Sequence, residues 1–172
     1  MSAGIYGTIT AEYIENLGFV QGSQVGREYW SSYSDDQYTS GSPLTLVADT
    51  ATDLPNNGLL DTDEEFGPTT PLYDATEGRI SGITGRVVSV TMFLKAETIT
   101  GTPLLEIWPD IGTDAVPIKL PYSRIASFPR ANGTVYEIAS TTKFYQRETW
   151  AANGMKYVIS CNEAIKIFDI GF

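Results

Sequence analysis

The chain contains no histidine. That absence removes Ser-His-Asp and Cys-His nucleophilic catalysis, and with them the side chain best suited to moving protons near neutral pH. There is a single cysteine, Cys161, in 172 residues. One thiol makes an intrachain disulfide impossible and gives no sign of an oxidising compartment. With no second thiolate and no imidazole, a cysteine-based zinc site is excluded as well. Cys161 is read as a small buried apolar residue. No run approaches the roughly 18 apolar residues of a membrane-spanning helix. The start, Met1-Ser2-Ala3-Gly4-Ile5-Tyr6, has neither the basic region nor the apolar stretch of a signal peptide. No membrane partner is expected.

Basic residues are scarce, 11 against 21 acidic ones, for a net charge of −10. The imbalance is local: residues 1–86 hold 13 acids and 3 bases, and residues 87–172 hold 8 of each. A field of this sign repels phosphate backbones, so nucleic acid is not an expected partner. The balanced second half reads as a domain body. The acidic first half reads as an arm, or as a face shown to water or to a basic partner.

What is present is β-sequence. The 42% hydrophobic and 19% charged content is that of a globular protein. In Val87–Lys95, Val88, Val90, Met92 and Leu94 share one face at period two, with Phe93 opposite. Leu104–Trp108 follows and is expected to stop at Pro109. Val116–Leu120 contains Pro117 and suits a sheet edge. Thr134–Ala139 follows the turn signal Asn132-Gly133. A second Asn-Gly, at 153–154, precedes Met155–Cys161, where Met155, Tyr157, Ile159 and Cys161 share a face. Ile165–Ile170 comes last and is expected to pair with 155–161 as an antiparallel hairpin. With Pro43–Val47 and Arg79–Ile83, about eight strands fall between 42 and 172, broken by Gly, Pro, Asn and Asp clusters. This is an all-β pattern, an antiparallel sandwich or barrel.

The first 41 residues differ and are read as an N-terminal arm, with residues 42–172 as the body. Thr10 is placed to cap a short helix, Ala11–Leu17, ended by Gly18, with Tyr13, Ile14 and Leu17 on one side. The stretch after it carries Tyr29, Trp30, Tyr33 and Tyr38. These seven residues are candidate partner-binding positions, docking the arm on another subunit; the plainer reading of 29–38 is a strand or loop packed on the sandwich. In the docking reading, a chain starting near Ser42 folds alone. Trp30 and Trp108, each beside turn residues, are candidates for a glycan- or protein-binding surface, and Trp150 is expected to pack against the terminal hairpin.

No motif carries catalysis, a cofactor or a metal. Asp61-Thr62-Asp63-Glu64-Glu65-Phe66-Gly67 fails the calcium-loop pattern, since glycine is needed at its sixth position and glutamate at its twelfth, which here are Phe66 and Leu72. No Gly-x-Ser-x-Gly elbow occurs, and Ile83-Thr84-Gly85-Arg86 lacks the Gly-Lys-Ser/Thr ending of a phosphate loop. Carboxylate-based sugar hydrolysis has no supporting spacing, so the chain is not expected to be an enzyme.

One set of short motifs has a familiar look. Leu54-Pro55-Asn56-Asn57-Gly58-Leu59 comes before Pro71-Leu72-Tyr73-Asp74 and Arg79-Ile80. Later come Phe144-Tyr145, then Glu148-Thr149-Trp150-Ala151-Ala152-Asn153-Gly154, then Ile165–Asp169. Over residues 45–172 the chain resembles the small jelly-roll proteins of tailed-bacteriophage virions, which decorate the capsid or form the heads of fibres. The resemblance implies an eight-stranded jelly roll, assembly as a homotrimer, and no catalytic residues. It also implies a place in the virion after synthesis in the cytoplasm of a host bacterium. The expected function is capsid decoration or cementing, with the major capsid protein or another virion protein as partner. The alternative is a receptor-binding fibre head that recognises a host-surface glycan or protein.

Overall fold

The computed structural model describes residues 31–60, 72–121, 125–127 and 131–172. The expected helix at 11–17 and the acidic stretch at 61–67 lie outside them. In chain order the strands are β1 (Tyr33–Ser34), β2 (Leu44–Leu46), β3 (Thr52–Asp53), β4 (Leu59–Leu60), β5 (Tyr73–Asp74), β6 (Arg79–Ile80), β7 (Val87–Thr98), β8 (Leu105–Asp110), β9 (Ile125–Ser127) and β10 (Val135–Tyr145). A short helix, α1 (Glu148–Asn153), then leads into β11 (Lys156–Cys161) and β12 (Ile165–Gly171).

Two antiparallel sheets share one core. The larger runs β10-β7-β12-β1-β4, with β2 also on β12; the smaller runs β3-β11-β8-β9. The pair β5–β6 stands apart and is tied to the body by reciprocal backbone hydrogen bonds between Ile80 and Met155. The all-β, sandwich-like class expected from the sequence is what forms. Between 42 and 172 eleven strands are described against about eight expected, because β3, β4, β5 and β9 are added at two or three residues each while Val116–Leu120 forms none. Strands that short have no period to read.

The long strands follow their patterns. On β7, Val90, Met92, Leu94 and Ala96 are buried while Ser89 and Thr91 face water. They meet Leu105 and Ile107 of β8, Tyr157 and Ile159 of β11, and Ile165 and Ile167 of β12 in the same cluster. Cys161 is buried there too.

Four expectations are corrected. First, β11 and β12 do not pair. β11 lies between β3 and β8, and β12 joins β7, β1 and β2. The link Asn162–Ala164 therefore crosses between the sheets, which lets the apolar faces of both strands meet across the core. Phe168 is buried but lies on the other face of β12, opposite Lys95, outside the central cluster.

Second, β8 continues through Pro109 to Asp110. The Pro109 carbonyl accepts from Leu120 N–H, so its backbone polar edge faces away from β11. β9 pairs only with Leu105–Ile107, so no ladder partner waits there for the donor that proline lacks. Third, Val116–Leu120 forms no strand beyond a single bridge from Lys119 to Asp110. Fourth, Asn153-Gly154 ends α1 rather than turning a hairpin. Gly154 has φ 71° and ψ −177°, a positive-φ extended backbone open essentially to glycine alone, and its N–H donates to Trp150 O.

Candidate functional site

Of the seven arm positions, Tyr13, Ile14, Leu17, Tyr29 and Trp30 lie outside the described residues. Tyr33 and Tyr38 are placed within the body, as the plainer reading had it. Tyr33 N–H donates to Phe172 O and Phe172 N–H returns the bond to Tyr33 O, at 3.0 and 2.9 Å. The Tyr33 ring is buried 5.3 Å from that of Tyr73. Tyr38 is half-buried against the core, and its carbonyl accepts from Asp169 N–H. The Tyr33 ring is thus part of the core, while the Tyr38 side chain keeps a part of its surface open.

Six of the residues behind the resemblance, Asn56, Tyr73, Arg79, Ile80, Trp150 and Asn153, are joined by hydrogen bonds at the junctions between elements. Asn56 is buried, donates from Nδ2 to Tyr33 O, and accepts at its own carbonyl from Tyr73 Oη. Trp150 Nε1 donates to Ile80 O. Arg79 donates to Gly112 O and Asn153 O and pairs with Asp114 at 2.8 Å. Motifs scattered over a hundred positions thus weld β5–β6 and α1 to the two sheets. Sequence reading saw them as a pattern without seeing that they touch.

The surface with most chemical character is the outer face of the smaller sheet. Glu106, Trp108 and Asp110 alternate outward on β8, beside Ser160, Val158 and Lys156 of β11. Residues 111–120 fold back over this face. Asp110 Oδ1 accepts from the N–H groups of Gly112 and Ile118, at 2.8 and 2.7 Å, and Ile111 N–H donates to Ile118 O. This fold-back sets Lys119 Nζ 4.1 Å from the centroid of the Trp108 ring, a cation–π contact. Trp108 is 6% exposed, so it is covered rather than displayed as its turn position suggested. Its buried Nε1–H has no acceptor among the described residues. Beside it opens a cleft of about 490 Å³ lined by Asp49, Glu106, Trp108, Lys119, Ser160 and Asn162 among others.

Next to the cleft runs a chain of alternating charge. Lys156, 9% exposed, lies 2.7 Å from both Asp53 and Asp114, and Asp114 also meets Arg79. Hydrogen bonds from Lys156 and Arg79 hold the Asp114 carboxyl below its ordinary 3.8. Burial pulls the Lys156 ammonium down, but bonds to Asp114 and Asp53 outweigh it and the net shift is upward from 10.5. Across the molecule, the bond to Asp169 raises Lys95. Burial, then Asp35 and Asp74, push Tyr73 up to about 12. Burial also raises Tyr157 and Cys161. Each of these groups is thereby held more firmly in the charge state it has at neutral pH.

The shifts fix a pH profile. Asp114, with its folded value depressed, stabilises the fold above its ordinary 3.8, and that contribution is lost as pH falls through the folded value. Tyr73, Tyr157, Cys161, Lys95 and Lys156, all raised, stabilise below their ordinary values of 10.0, 10.0, 9.0, 10.5 and 10.5, and lose this as pH climbs. The melting temperature is expected to be level from about pH 5 to about pH 8 and to fall steadily on the alkaline side. Calorimetry across that range checks it, and a step between about pH 6 and 7 would reveal a poised group that this account lacks.

Among the described residues, no group of three or more acidic or cysteine side chains is placed to hold a metal ion, and no helix is long and apolar enough to cross a membrane. Compared with protein-family models and with curated proteins, the chain matches none.

Proposed function

We propose that this chain is a non-enzymatic structural protein of a tailed-phage virion, a decoration or cement subunit on the head. What supports the non-enzymatic part is a sequence without histidine and without a nucleophile-elbow or phosphate-loop motif. The virion part rests on the resemblance alone. In this reading the partners are further copies of the chain and the major capsid protein or another virion protein. The −10 charge keeps it clear of packaged nucleic acid.

A second reading, a fibre head that binds a host glycan, draws on the Trp108 cleft. A sugar ring could stack on the indole if Lys119 swung aside, with Asp49, Glu106 and Asn162 as hydrogen-bonding groups. Labelling the protein in purified particles separates the two. Decoration places label over the shell, receptor binding places it at a fibre or tail tip, and no label on any particle removes both.

A further inference from the structure

The structure assigns the outer edge of β10 to a twofold contact with a second copy of this chain. Among the described residues no strand lies along that edge, since β10 ends the larger sheet and pairs only with β7. It is 11 residues long, and its register with β7 runs unbroken from Val135↔Glu97 to Tyr145↔Val87. Soluble proteins blunt such edges with proline, bulges, short strands or several charges. β10 contains no proline and no glycine, has no bulge, and bears one charge of each sign, Glu137 and Lys143.

The order of its residues is self-complementary. When a copy of β10 is laid antiparallel about Ser140, Glu137 of each copy falls opposite Lys143 of the other. Val135 falls opposite Tyr145. These two are among the exposed large apolar residues, at 48% and 63%, and the contact covers both. Val87, 67% exposed and opposite Tyr145 in the same sheet, adds to that apolar end. On the inner side, Tyr136 meets Phe144 and Ile138 meets Thr142, so the core side of one sandwich continues into the next. Residues keep their faces, because each pair joins positions of equal parity. Sliding the register by two residues in either direction sets Glu137 against Thr141 or Tyr145 and Lys143 against Val135 or Ala139, and it parts Val135 from Tyr145. Only the register centred on Ser140 satisfies the charges and the apolar ends together. Among the described residues Lys143 makes no ion pair, so its charge is available. Contacts of this kind are isologous and close after two copies. A dimer with a continuous sheet through β10 therefore replaces the threefold closure implied by the resemblance.

Charge exchange tests this on the full-length protein. Sedimentation equilibrium is expected to give a dimer of the 18.8 kDa chain. Lys143→Glu stands opposite Ser89 in its own sheet, so it adds no repulsion within the fold. Across the contact it sets two carboxylate pairs face to face, and the dimer dissociation constant should rise about thirtyfold. Glu137→Lys should weaken the dimer with two ammonium pairs as well. Because its new ammonium also faces Lys95 in its own sheet, its loss is compared with that of Glu137→Gln, which removes both attractions without that clash. Mixing the two charge-reversed variants restores both attractions, so native mass spectrometry should show the mixed dimer in preference to either homodimer. Circular dichroism on each variant confirms that it is folded. A monomeric or trimeric full-length protein, a dimer unmoved by Lys143→Glu, or random pairing in the mixture would each overturn the assignment.

Discussion

Trp150→Ala is expected to cost about 3–5 kcal/mol, the usual range for truncating a buried tryptophan. That is a large share of a typical stability of about 5–15 kcal/mol. Trp150 is 2% exposed and stands on α1, a helix of six residues. So short a helix has no stability of its own and depends on what its one buried side chain holds. The ring meets Phe144 edge-on at a centroid separation of 5.2 Å. It also lies so close to Gly82 that a Cβ there would fall 2.3 Å from the indole Cδ1. Its Nε1–H donates to Ile80 O, which accepts from Met155 N–H as well. Removing the indole therefore leaves the Ile80 carbonyl satisfied but empties the space between α1, β6 and β10. Trp150→Phe keeps most of the packing and loses one hydrogen bond, and should cost about 1–2 kcal/mol. Urea unfolding of the three proteins checks both values. Equal stability of Trp150→Ala and the parent would mean that α1 is not anchored through this ring.

How far the sequence speaks for this fold depends on strand length. β7 announces itself, because a twelve-residue run with one buried face repeats its period several times. β12 is read instead from its apolar, β-branched run, since it buries residues on both faces and its register with β7 shifts after Phe168. β1, β3 and β4, at two residues each, leave no such trace. They are strands only because β12, β11 and β1 offer them an edge. Pairing is less legible than strand existence. A short link after Met155–Cys161 suggests a hairpin, but both flanking strands carry apolar faces that the core must receive from opposite sides. The turn signals were chemically sound and topologically silent: Asn-Gly supplies positive φ equally to a hairpin and to the end of α1. The cleft was half-visible. Trp108 stood out, yet its cover depends on Asp110 gathering Gly112 and Ile118, a contact of side chain to backbone that no periodicity encodes. Nor did pattern reveal that Arg79, Asn56 and Trp150 belong to one framework, since that follows from tertiary closure.

Deleting residues 1–41 is expected to unfold the body rather than free it of an arm. The cut removes β1, which bridges β12 and β4 in the larger sheet. It removes the buried Tyr33 ring, a loss of about 3–5 kcal/mol by itself. It strips Asn56 Nδ2 of its acceptor, Tyr33 O, at a position only 5% exposed, and an unpaired buried donor costs about 1–3 kcal/mol. It also removes Asp35, whose carboxylate receives the N–H groups of Tyr38 and Asn57 at 2.7 and 3.0 Å and so shapes the loop before β4. Asp35 N–H donates to Ile170 O and Tyr38 O receives Asp169 N–H, so the last turns of β12 lose their cover too. Together these losses approach the whole of an ordinary domain's stability. A chain beginning at Ser42 should show no cooperative melt and should precipitate on purification. Tyr33→Ala in the full-length protein should lower stability by the aromatic share alone and still unfold cooperatively, which separates lost packing from a lost strand. A Ser42 chain that melts within a few degrees of the full-length protein would return residues 31–41 to the status of an appendage.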